Sequence, residues 1–352
     1  MKILSFAFLL LIVIVAVAAS TQTQRPRVLL YYDMEGLSGI NRQEQTSFGH
    51  PEAYREGRQR LTEDVNAAIR GLVAGGAGEI VVTDAHGSGN ANEPDILLDH
   101  MDKRAKFEFR DHDFAPYIDV PDASYQAIIC IGMHARANTP GFLAHAYTIE
   151  PAFRLNGLDL TETEIIAHSA ARFRLPVIMV SGDDVLQRQI AERFPEAEYA
   201  LVKRAKGRAD AELLPLETAH ANIERAAKQA MEKRARFKPF TVAQAYRFEM
   251  SFQNKAQTDR AANYPDLTRV NDTTLGYAAK DFISGYQRAL TLIRLVTPDR
   301  LTLLLQVVRA RPDGKEIMAE YERLLMTRWL EPEKMPPAPP PPAPKKRFHG
   351  AN

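Results

Sequence analysis

Three apolar runs in this chain each end in residue types able to bind metal ions, and this repeated layout constrains the fold more than any other feature. Val28–Tyr32 runs into Asp33-Met-Glu35, Ile80–Thr83 into Asp84-Ala-His86, and Ile128–Met133 into His134-Ala-Arg136. Short apolar runs rich in strand formers read as buried strands. Between them lie stretches of helical periodicity. Leu61–Ala74 repeats Leu61, Val65, Ala68 and Leu72 and stops at Gly75-Gly76-Ala77-Gly78. Val177–Val180 is a further strand, after which Asp183 and Asp184 cap a helix running to about Phe194. Such alternation predicts an α/β fold, a mostly parallel sheet flanked by helices. In that architecture the functional groups gather at the carboxyl ends of the strands.

Side chains two apart in an extended segment point the same way, so Asp33 and Glu35 leave the first strand side by side. Adjacent carboxylates repel unless a positive charge sits between them, and a divalent cation is the usual remedy. If the strands are parallel neighbours, His86 and His134 converge on the same place. Two imidazoles with two carboxylates suit zinc, or another borderline divalent ion, better than magnesium or calcium. Taken singly, a histidine after a strand is ordinarily a loop or cap residue, and Asp33 can cap a helix. Repetition at three strand ends is what favours a metal site.

Composition narrows the class. The 352 residues carry 45 Lys and Arg against 44 Asp and Glu, a formal charge of +1, which gives no sign of a nucleic-acid partner. Cys130 is the only cysteine, so no intrachain disulfide and no multi-cysteine zinc site can form. Residues 1–19 have the layout of a secretory signal peptide: Met1-Lys2, an apolar stretch from Ile3 to Val17, then Ala16-Val17-Ala18 as a small-residue cleavage pattern. Export to the periplasm or the medium is expected, with no integral membrane anchor after cleavage. The expected division is a catalytic α/β unit over 26–235 and an α+β portion of the same unit over 236–297. Beyond these come a helical extension over 298–331, broken near Arg311-Pro312-Asp313-Gly314, and a Pro-rich tail over 332–352 that is expected to be disordered. In the C-terminal part Tyr246–Phe252 reads as a strand and Ala279–Val296 as a long helix. His50, His100, His112 and His220 fall outside the strand-end pattern and are expected at the surface. His168 reads as a partly buried structural histidine and Cys130 as core.

The residues at the strand ends also carry a family resemblance. Asp33-Met-Glu-Gly-Leu-Ser-Gly39, Thr83-Asp-Ala-His-Gly87, Gly132-Met-His-Ala-Arg-Ala-Asn-Thr-Pro-Gly141, Leu143-Ala-His-Ala146 and Val180-Ser-Gly-Asp-Asp184 occur in this order. Over roughly Val28 to Leu295 the chain resembles the zinc-dependent D-aminopeptidases associated with dipeptide-transport operons. The resemblance implies two zinc ions per subunit, with Asp33 bridging them and Glu35, His86, His134 and a later glutamate completing the site. Counting back from Leu175-Pro176-Val177 places that glutamate at Glu162, with Glu164 two residues away as the competitor. His145, eleven residues after His134, matches the family's catalytic histidine. Arg136 and Asn138 are candidates for substrate binding, or for shaping the loop. Asp84 is either a support for His86 or a turn residue. Family members form ring-like homo-oligomers, and the same is expected here.

The leader and the C-terminal extension depart from the family. Export would place the enzyme beside peptidoglycan, whose stem peptides contain D-alanine, so the expected substrates are short peptides of the D-Ala-D-Ala type. The alternatives are an exported amidase or esterase using the same metals, and a non-catalytic peptide-binding protein on the same fold.

Overall fold

The computed structural model describes residues 25–334, apart from 91–92, 110–114, 148–151, 242–244 and 297–299. The expected signal peptide and most of the Pro-rich tail therefore lie outside the described residues, as does His112.

In chain order the first half comprises β1 (Arg27–Tyr32), α1 (Pro51–Ala74), β2 (Glu79–Asp84), β3 (Ala105–Phe107), α2 (Pro116–Asp119), β4 (Ala127–Ile131), β5 (Ala152–Leu155), β6 (Leu158–Asp159) and α3 (Glu162–Ala170). Then follow β7 (Val177–Asp183), α4 (Asp184–Arg193), β8 (Glu198–Gly207), β9 (Asp210–Leu213), α5 (Leu216–Glu232), β10 (Tyr246–Ser251), α6 (Lys255–Ala261), β11 (Thr268–Asn271), β12 (Thr274–Ala279) and α7 (Phe282–Val296). A pair of helices, α8 (Arg300–Ala310) and α9 (Gly314–Leu330), completes the described chain.

The main sheet has the order β3-β2-β1-β4-β7-β8-β9, and every pairing is parallel except β8 with β9. Its central strands are buried on both faces, which explains their unbroken apolar runs. Alternate residues of β1 serve opposite cores. Val28, Leu30 and Tyr32 pack with residues of α1 and α5, whereas Leu29 and Tyr31 join the core shared with α3, α4 and α7. From β1 the chain steps one way to β2 and β3, then returns to β4 on the other side. The boundary between β1 and β4 is thus a topological switch point, where loops part and leave a crevice. Register brings the strand ends level: Tyr32 faces Asp84 on one side and Ile131 on the other.

A second, antiparallel sheet has the order β11-β12-β10-β5-β6. It joins distant segments, since Phe248 of β10 pairs with Leu155 of β5. The helix expected over Ala279–Val296 starts at Phe282, because the residues up to Ala279 belong to β12. Similarly, α1 begins at Pro51 rather than near Leu61, its first helical position occupied by a proline that needs no amide donor there. The break at Arg311–Gly314 separates α8 from α9 as expected. Among the described residues no helix is long and apolar enough to cross a membrane.

His168 is structural, as expected. Its ring stacks on Phe282 at 4.9 Å and meets Phe240 edge-on at 4.7 Å. Burial, helped by the nearby Arg193 charge, brings its pKa down to about 4. The folded protein therefore holds this imidazole neutral while the unfolded chain protonates near pH 6.5. Stability from this group is intact above pH 6.5 and falls as the pH drops toward 4, by about 3 kcal/mol in all. His168→Phe is expected to flatten that part of the stability profile, as read from urea midpoints at pH 7 and pH 4.5. An unchanged pH dependence would rule the group out as its source.

Candidate metal centre

At the switch point the first strand turns sharply. Asp33 donates its backbone N–H to Ile131 O at 2.8 Å, and Gly36 donates to Gly132 O at 2.7 Å. This apposition demands glycine at position 36, where a Cβ would lie 1.9 Å from Met133 O. The Asp-Met-Glu-Gly string is thus a close-approach turn that delivers two carboxylates to the end of β4. Gly132, at φ +74°, provides the reciprocal turn on the other strand and sends His134 back toward them.

Asp33, Glu35, His86, His134 and Glu162 are all buried. His134 Nε2 lies 3.5 Å from Asp33 Oδ2 and 3.4 Å from Glu162 Oε1, and His86 Nε2 lies 3.4 Å from Glu35 Oε1. Donors about 2.0–2.1 Å from a tetrahedral ion stand roughly 3.3–3.4 Å apart, so these spacings match a zinc shell. Moreover, Asp33 Oδ2, Glu35 Oε2 and His134 Nε2 are buried atoms without a hydrogen-bond partner. Orphaned polar atoms in a buried site are costly, and three together point to an ion as their missing partner. One donor atom each from Asp33, Glu35 and His134 falls within 4.8 Å of the others, as do those of His134, His145 and Glu162. The donor set fits zinc.

The electrostatics agree. Burial and the neighbouring Glu35 and Glu162 carboxylates push the Asp33 carboxyl well above its usual range. Burial acts against ionising Glu35 and Glu162 too, but the imidazoles outweigh it. His86 holds Glu35 well below its ordinary value, and His134 brings Glu162 down to about 2. Conversely, burial works against the charged form of His134, but Glu162 outweighs it and brings the imidazole up to about 9. Three carboxylates are crowded into one buried space, and one of them takes up a proton unless a cation arrives.

Glu162 and Glu164 have separate jobs. Thr161 caps α3, its Oγ1 accepting from Glu164 N at 3.1 Å, while Glu164 Oε2 accepts from Thr161 N at 2.8 Å. The other Glu164 oxygen is held by Arg193 Nε at 2.7 Å. Glu164 is therefore occupied by the helix cap, and Glu162 faces His134. The Thr161-x-x-Glu164 capping-box spacing is a sequence signal that separates the two.

His145 stacks on His134 with centroids 4.1 Å apart. Its Nδ1 lies 2.7 Å from Leu143 O, so an Nδ1–H donated there leaves Nε2 as the free acceptor, 3.9 Å from Glu162 Oε1. Burial and the adjacent His134 hold its pKa below the ordinary histidine value. Arg136 and Asn138 make no hydrogen bond or ion pair to these residues among the described contacts. The Arg136 backbone N–H donates to Gln189 Oε1 at 3.0 Å, and Asn138 is an exposed left-handed turn residue at φ 62°.

Several supports were not legible in the sequence. Asp95, rather than Asp84, holds the His86 ring: its Oδ2 lies 2.9 Å from Nδ1. Asp84 instead accepts the His86 backbone N–H at 2.8 Å. Asp95 also accepts from Ser88 Oγ at 2.5 Å and from the Tyr54 hydroxyl. The Tyr117 hydroxyl donates to Glu162 Oε2, and Tyr147 N donates to Glu162 Oε1 at 2.6 Å. His220, expected at the surface, is half-buried beside Asp64 at 3.3 Å. A carboxylate that fixes a histidine ligand's tautomer tunes metal affinity, so Asp95→Asn is expected to weaken zinc binding about 10–100-fold in chelator competition. Unaltered affinity would leave Asp95 a purely structural residue.

The chain is similar to known proteins. The chain is 26% identical over 271 residues to a D-aminopeptidase of Bacillus subtilis (strain 168), spanning 76% of this chain and 97% of the relative. The solved structure of the Zn-dependent D-aminopeptidase DppA from Bacillus subtilis, a self-compartmentalizing protease, superposes with a TM-score of 0.71 at 25% identity. That alignment covers 78% of this chain and 98% of DppA. The family profile described as D-aminopeptidase matches residues 27–291, the region holding both sheets and every residue of the site. The chain belongs to the D-aminopeptidase family.

Proposed function

We propose that the protein is an exported, zinc-dependent aminopeptidase that releases N-terminal D-amino acids from short peptides of the D-Ala-D-Ala type. One observation carries the metal reading: the three partnerless donor atoms of Asp33, Glu35 and His134 in one buried site. Asp33, Glu35, His86, His134 and Glu162 would hold the zinc, as two ions per chain. Bound zinc supplies Lewis-acid polarisation of the scissile carbonyl and lowers the pKa of water. The chain's own residues do the rest. Asp95 and the Leu143 carbonyl orient His86 and His145 respectively. Tyr117 and the Tyr147 amide hold Glu162 in place, leaving the Oε1 edge toward His134. His145, neutral and with Nε2 free, takes up the proton released on attack and returns it to the leaving amine. Arg136 and Asn138, on the loop after His134, are the residues proposed to contact the peptide.

The D-aminopeptidase relative supports the stereochemical reading, and the self-compartmentalizing relative supports a homo-oligomer with enclosed sites. Export rests on the leader over residues 1–19. Two measurements on purified protein decide: zinc content, and hydrolysis of D-Ala-D-Ala against L-Ala-L-Ala. About two zinc ions per chain and selective cleavage of the D-peptide are expected from this reading. Protein that holds no metal and does not cleave the D-peptide would refute the reading. Metal without D-selectivity would point to an amidase or esterase.

A further inference from the structure

We propose that Lys203 is a positioning residue that fastens together two of the segments carrying metal-site residues, the turn after β1 and the loop after β4. The inference rests on Glu35 being a zinc ligand. Lys203 is fully buried, although burying an ammonium is costly unless its donors are engaged. Here the engagement is specific. Its Nζ donates to Glu35 O and to Ile40 O, both at 2.6 Å, and sits 4.7 Å from the centre of the Phe142 ring. Glu35 and Ile40 lie near the two ends of the turn that leaves β1, and Phe142 lies between His134 and His145. One cation thus pins both loops from β8, a strand that contributes no ligand.

Two further features favour this role. The register between β7 and β8 slips where Gly182 faces Leu201 but Asp183 faces Lys203, and such irregularities re-aim side chains. Asp183 then secures the second loop from its own side, accepting from Phe142 N at 2.9 Å. The other charged groups near the ammonium are Asp64, Asp183 and Glu35. Asp64 also ties down the same turn, accepting from Ser38 N at 2.8 Å and Ser38 Oγ at 2.5 Å. A lysine whose ammonium is taken up by two carbonyls and an aromatic face is not disposed to attack substrate. It holds backbone in place.

The test compares wild-type, Lys203→Met and Phe142→Leu full-length proteins by chelator-competition zinc affinity and by amide hydrogen exchange of the metal-free forms. Lys203→Met is expected to weaken zinc binding about 10–100-fold. It should also accelerate exchange in peptides covering residues 33–46 while leaving those of β1, β2 and β4 unchanged. Phe142→Leu, which removes only the aromatic face, should shift both readouts in the same direction by less. Wild-type affinity with unaltered exchange would overturn the proposal, and so would an exchange increase spread evenly over the molecule. Should Lys203→Met fail to fold, the same criteria apply to Phe142→Leu alone. Should the wild type bind no zinc, the functional reading fails, and the exchange measurement still decides whether Lys203 anchors the loop.

Discussion

Asp33→Asn protein is expected to lose high-affinity zinc from both proposed positions and to fall at least about a thousandfold in kcat/KM, because Asp33 is the carboxylate proposed to be shared by both ions. The substitution changes little in volume, so the fold should survive it. Its metal-free form should even gain stability. In the wild type, burial and the Glu35 and Glu162 carboxylates hold the Asp33 carboxyl above its ordinary range. An acid raised in this way disfavours the native state as pH rises from its unfolded value through its folded one. An amide escapes that cost. With chelator at neutral pH, Asp33→Asn should therefore melt above the wild type, whereas added zinc should raise the melting temperature of the wild type alone. Zinc at a hundred times its dissociation constant stabilises by about 2.7 kcal/mol. Glu35→Gln should weaken mainly one ion, with His86 its nearest partner at 3.4 Å. Two tightly held ions in the Asp33 variant would disprove the bridging assignment.

His145→Ala is expected to lower kcat about 10²–10⁴-fold while both zinc ions stay bound. The Leu143 carbonyl engages Nδ1, and burial together with His134 keeps the ring neutral near pH 7, so Nε2 is a ready proton acceptor. The variant should keep the wild-type KM within a few-fold, since the lost interaction is made during proton transfer rather than on binding. His145 nevertheless groups with His134 and Glu162 as a possible ligand trio. Loss of zinc on substitution would assign it to the metal instead.

Much of this site was legible because strand ends in a parallel sheet have a simple grammar. β1, β2, β4 and β7 are buried on both faces, so their apolar runs stood out, and the polar residues that follow them marked the crevice. By contrast, β5 and β6 are too short to show a period, and β8 alternates burial and carries charged side chains over much of its length. The start of α1 was hidden for a related reason. Its first turns carry few apolar side chains, and the apolar stripe shows only from Leu61 onward.

The sequence by itself determined the α/β class, the metal-binding residue types at three strand ends and the family resemblance, but left Glu162 and Glu164 as competitors until the structure showed Glu164 held in the cap of α3. What it determined is local or periodic, set by the pleat of a strand and the turn of a helix. Tertiary structure alone decided that Asp95 rather than Asp84 holds His86, that Tyr117 braces Glu162, and that Lys203 supports Glu35. Lys203 and Glu35 are 168 residues apart. Such partnerships depend on which strands become neighbours and where their loops close, and no spacing along the chain encodes that order.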